Sequence, residues 1–239
     1  MKILLCLSAI LAACGIAQAS EPSARDILAG ARMSVTLTQL DDGLRGYLRK
    51  DRVKTPVVLF LKGEDIQFQF SEQGGPWQGF HMRIGDDSFR LYEIADGKRQ
   101  ALAKEKMLES IAGTDLTYED LAMRFFYWPD PVLEGREKVA GQECYKIRIN
   151  KPEAATGRYD SVYVWVHTKF GAFMRIRGHD SQGALVREFQ VEDVMQVAKD
   201  VWTIRKMQVA SHDPQSGRRS SLTDVTFDSP NQAKPRGLR

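Results

Sequence analysis

The sequence predicts an α+β protein that is mostly antiparallel β. The expected form is a curved, unclosed β-barrel (half-barrel) of about 10–12 strands, with an N-terminal helix and two short lid helices. Three observations predict it. Short β-rich runs follow one another between Gly/Asp turns over most of the chain. Within the runs apolar and polar residues alternate, as in Ile66, Phe68 and Phe70 against Gln67 and Gln69. Only two internal stretches, 104–112 and 117–126, change to helical spacing. So many strands in one run need hidden edges; curling the sheet hides them and lets helices cover the mouth, with two packed sheets as the alternative.

The elements follow from the N-terminus. Lys2 and the apolar run 3–13, broken by Ser8, lead to Ala17-Gln18-Ala19, the small-x-small pattern of a signal-peptidase site. The run is too short to span a bilayer, which takes roughly 20 residues. A secretory signal over 1–19, cleaved after Ala19, predicts a periplasmic product. Leu11-Ala12-Ala13-Cys14 also resembles a lipobox, and the alternative is a membrane-anchored lipoprotein through Cys14. Cys6 leaves with the signal either way, so Cys144 has no partner for an internal disulfide.

Ser23 and Asp26 make a capping-box-like start for a helix burying Ile27, Leu28, Ala31 and Met33. Three hairpins are expected next: 36–40 with 44–50 around Asp41-Asp42-Gly43, 57–62 with 66–71, and 80–84 with 89–94. The lid helices carry Met107 and Ile111 before Gly113, then Leu121 and Phe125 after a Thr117–Asp120 box, stopping before Pro129 and Pro131. Strands resume at 144–149, 161–167, 173–179, 185–194, 201–210 and 221–227. One domain over 20–229 and a disordered tail over 230–239 complete the expectation.

Composition excludes more than it selects. In 239 residues, 34 Lys+Arg against 31 Asp+Glu leave a net charge of +3, too small and too mixed to make nucleic acid the partner. Three cysteines exclude a disulfide scaffold and a four-cysteine zinc site. His81, His167, His179 and His212 lack metal-ligand spacing, so no metal or cofactor is expected. Ser161, His167 and Asp180 lack a Gly-x-Ser-x-Gly elbow, and ordinary strand polarity explains them better than catalysis. Arg175, Arg177, Arg187, Arg205 and Lys206 read as a solvated outer face, or else as a surface for anionic headgroups. Trp77 is balanced between the core of its strand and an interfacial anchor.

The arrangement resembles a known family. Thr114 to Leu121, Gly135 to Gly141 leading into Cys144 to Ile147, and Tyr159 to His167 with Val164-Trp165-Val166 carry the likeness. So do Phe173 to Arg187, with the turn His179 to Gly183, and Val201 to Ile204. They resemble the LolA-like outer-membrane lipoprotein-sorting family. That resemblance implies an unclosed barrel plugged by helices, whose best-understood members carry lipoproteins between membranes by sheltering acyl chains. The expected function is therefore a non-enzymatic periplasmic carrier of an acyl chain, lipid or lipoprotein. Phe68, Phe70, Phe80, Met82, Phe89, Leu91 and Trp165 are its expected lining, with Met107, Ile111, Leu121 and Phe125 on the lid. Two alternatives stay open: a lipid-acting hydrolase on this scaffold, and an accessory subunit of an envelope export system that docks an inner-membrane transporter.

Overall fold

The computed structural model describes residues 21–36, 40–84, 89–95, 97–199 and 201–230. The signal, its lipobox alternative and positions 231–239 of the expected tail lie outside the described residues.

Helix α1 (Ala24–Thr36) opens where the Ser23 hydroxyl accepts the Asp26 amide at 3.1 Å. It buries Ala24, Ile27, Leu28 and Ala31, one stripe at helical spacing. Six strands follow: β1 (Leu40–Lys50), β2 (Val53–Lys62), β3 (Asp65–Ser71), β4 (Trp77–Ile84), β5 (Phe89–Ala95) and β6 (Lys98–Ala101). After residues 102–131 come β7 (Val132–Val139), β8 (Gln142–Asn150), β9 (Ser161–His167), β10 (Phe173–His179), β11 (Leu185–Ala198), β12 (Val201–His212) and β13 (Arg219–Phe227).

All thirteen form one sheet in the order β6-β5-β4-β3-β2-β1-β13-β12-β11-β10-β9-β8-β7. Every pairing is antiparallel, and β1 joins β13 through Leu48 opposite Val225. The first and last strands therefore meet in mid-sheet, while β6 and β7 lie at its two ends. The stretch 102–131 has to run from one end to the other. That connection is the plug of an unclosed, curved sheet.

The fold class is as expected, with instructive differences. Of the expected hairpin at 36–50, residues 37–39 lie outside the described residues and Leu40–Lys50 is one strand: Asp41-Asp42-Gly43 forms a bulge between Leu40 and Leu44, not a turn. Gly43 sits at φ 74, and a Cβ there would lie 2.6 Å from the Phe60 and Val58 side chains, so the bulge requires glycine. Two strands carry no strong sequence signal. β6 is four exposed residues, and β7 is mostly exposed and charged, as suits strands at the ends of a sheet.

The lid is more broken than two helices. Residues 104–108 make a 3-10 turn, α2 (Tyr118–Ala122) is one turn long, and a left-handed Met123 starts another 3-10 turn over 124–127. The Thr117–Asp120 capping box does form, both ways.

Candidate functional site

The concave face of the sheet, α1 and the plug share one core. Register sets which side chains enter it: Phe70 lies opposite Val57, Phe68 opposite Phe80, Met82 opposite Leu91 and Ile84 opposite Phe89. Phe68, Phe70, Phe80 and Met82 are buried there, and Phe89 and Leu91 pack against them half-buried. From the plug come buried Ile111 and Phe125, with Met107 and Leu121 at the margin. Phe80 meets the Tyr118 ring at 5.9 Å, and Phe89 meets Tyr127 edge-on at 4.2 Å. The structure thus brings six expected lining residues and all four lid residues into contact with one core. In this conformation the concavity is filled by the protein's own side chains.

Trp165 is the exception, and the expectation for it is corrected. Strand alternation buries Val164 and Val166 in the main core and turns Trp165 to the opposite face. There it joins Val139 and Cys144, beneath Lys146, Arg175 and Arg177 at 5.5, 5.7 and 5.6 Å from its ring. Its N–H donates to Glu137. Trp77, at the start of β4, is 45% exposed.

What fastens the plug is polar and buried. Asp115 and Asp120 are 4% and 0% exposed, and Arg187 on β11, at 3%, lies beside both. Asp115 accepts from Ser211 (2.5 Å), Thr223 (2.9 Å) and Ser221, and Lys50 stands 3.5 Å away. Four strands of the sheet (β1, β11, β12 and β13) therefore converge on one plug carboxylate. Burial opposes its charge, but the hydroxyls of Ser211, Ser221 and Thr223 and the Lys50 ammonium prevail, holding it below the ordinary carboxylate range. Asp120 accepts from Thr117 and from the Tyr159 hydroxyl. Burial, then the Asp120 charge, pushes that phenol far up, so Tyr159 stays a donor. The Tyr159 ring sits against Gly178, where an added Cβ would come within 2.4 Å of it. Arg187 Nε lies 3.4 Å from Asp120, an ion-pair distance without hydrogen-bond alignment.

A second fastening joins the other end of the plug to β5. Lys106 and Gln100 each donate to Glu93 at 2.5 Å. The Lys106 ammonium leads in holding the Glu93 carboxyl below its usual range. Glu119 behaves oppositely: burial raises its carboxyl, partly offset by the Arg158 amide at 3.0 Å.

Sequence reasoning missed the role of Arg187, reading it as an outer-face cation. The signal was present, because Arg187 shares strand parity with the buried Phe189 and Val191. Asp115, Ser211, Ser221 and Thr223 carry no joint signal, since only the register of β12 against β13 and the path of the plug unite them. Ser161 and His167 mark opposite ends of β9, roughly 20 Å apart at strand rise. His167 Nδ1 accepts the Lys169 amide and Asp180 accepts the Gln182 and Ala184 amides, so both serve turns. These three do not form a catalytic constellation.

Residues 78–234 match the model of a family described as “Uncharacterized protein”, and this match spans more than half of the chain. The chain belongs to that family, and its fold is LolA-like. No curated protein matches it. Among solved structures it is similar to an outer membrane lipoprotein-sorting protein domain from Vibrio parahaemolyticus, with TM-score 0.65, 14% identity and 86% and 92% of the two chains covered. It is also similar to a DUF1329 family protein from Desulfovibrio piger, with TM-score 0.63, 18% identity and 86% and 90% covered. A LolA superfamily protein from Nitrosomonas europaea gives TM-score 0.60 at 13% identity, with 89% and 97% covered. At such identities the likeness concerns the fold.

Proposed function

We propose that this protein is a periplasmic carrier that shelters an acyl chain of a lipid or lipoprotein in its half-barrel, without catalysing a reaction. One observation supports this most: the sheet is left open between β6 and β7, and its concave apolar face is covered by the plug, a separate stretch of chain over 102–131. The plug puts Ile111, Leu116 and Phe125 where cargo hydrocarbon would lie, and it is held by directional polar contacts, buried at Asp115 and part-buried at Glu93. Withdrawing it exchanges one set of apolar contacts for another. An acyl chain entering the vacated space contributes ~0.8 kcal/mol per methylene. The relatives' description as lipoprotein-sorting and LolA superfamily proteins supports the cargo class and the envelope location.

Native mass spectrometry of the purified protein, with solvent extraction of what accompanies it, tests the reading. A stoichiometric lipid or fatty-acid adduct is expected. Protein that remains free of adduct after incubation with long-chain lipids would contradict it.

A further inference from the structure

Between α1 and the end of the plug lies an open cleft of about 260 Å³. Its floor is apolar and aromatic: Leu28 and Phe126 belong to the main core, and Tyr127 and Trp128 pack against that core. Its walls are cationic. Arg25 and Arg32 stand two helical turns apart on one side of α1, the same side as Leu28. Arg32 is fixed in place: it donates to the Phe126 carbonyl at 3.0 Å and its guanidinium lies 4.5 Å over the Tyr127 ring. Arg25 is largely exposed and has a loose 3.8 Å pair with the still more exposed Asp130. Two positive charges thus flank an apolar floor continuous with the core that the cargo is to enter.

We infer that this cleft is the headgroup site and entry port for a long-chain fatty acid, with the carboxylate held by Arg25 and Arg32 and the chain directed over Leu28 and Phe126 into the half-barrel. The inference rests on the carrier reading and names the chemistry of its cargo. Charge selects an anion, and guanidinium groups pair well with carboxylates. A carboxylate presents two acceptor oxygens, one for each guanidinium, and a fatty acid is the simplest lipid that carries one.

The test compares a fluorescent long-chain fatty acid with its uncharged methyl ester on wild type, Arg25→Ala and the double variant Arg25→Ala/Arg32→Gln. The wild type is expected to bind the acid about tenfold or more tighter than the ester, as a charged hydrogen bond implies. Arg25→Ala removes part of that preference and the double variant removes it, while ester affinity stays unchanged. Arg25 is a surface residue, so its single variant keeps the test decisive if loss of the Arg32 contact weakens the fold. Equal binding of acid and ester by wild type, or a preference that survives both substitutions, would overturn the inference and leave the carrier reading standing. Failure of both probes to bind would overturn both.

Discussion

At Arg187 the closure of the plug depends on a guanidinium placed beside two carboxylates that water barely reaches. Removing one member of such a group leaves charge uncompensated, so Arg187→Ala is expected to cost about 3–5 kcal/mol in urea unfolding. A loss under ~1 kcal/mol would show that the contacts to Asp115 and Asp120 are idle. Acid should act on the same contacts. Asp115 and Glu93 titrate below the ordinary carboxylate range, so their stabilisation is complete above about pH 4–5 and is lost as pH falls through the folded values. Glu119 has the opposite sign: its raised value favours the neutral form when folded, so it costs stability at neutral pH. Unfolding of Glu119→Gln at pH 7 is expected to need at least as much urea as wild type. A marked loss would mean that its bonds to the Arg158 amide outweigh its desolvation.

At the scale of elements, β3 and the plug make the comparison. Phe70, 1% exposed opposite Val57, packs like any core ring, so Phe70→Ala is expected to cost about 3–5 kcal/mol by thermal or urea melting. A small shift would instead mean that the ring borders open space. The strand and its inward face were legible because Gln67 and Gln69 alternate with Phe68 and Phe70. The Thr117 box was legible for the same local reason. What escaped was non-local. Nothing near Asp41-Asp42-Gly43 separates a turn from a bulge; the pairing of Leu44 with Leu59 on β2 decides it. β7 was hidden because an exposed strand at a sheet's end alternates charge with charge. Trp165 was misplaced because it sits in an almost continuous apolar run, Val162 to Val166, where composition does not mark the face. Arg187 was misread because a charge on a strand is normally outward, and its counter-charges come from the plug, about seventy positions away.

At the scale of the whole molecule, the topology places the opening and its stopper together. Pairing β1 with β13 leaves β6 and β7 at the ends of the sheet, and the chain between them becomes the plug. The central claim is that cargo displaces this plug and leaves the sheet intact. Hydrogen exchange, measured with and without a saturating long-chain fatty acid, tests it most directly. Bound lipid should speed exchange across 104–122, while 126–128 beside α1 and amides of β1, β2, β12 and β13 stay protected. Lipid that binds with the plug still protected, or that loosens plug and sheet alike, would contradict the account.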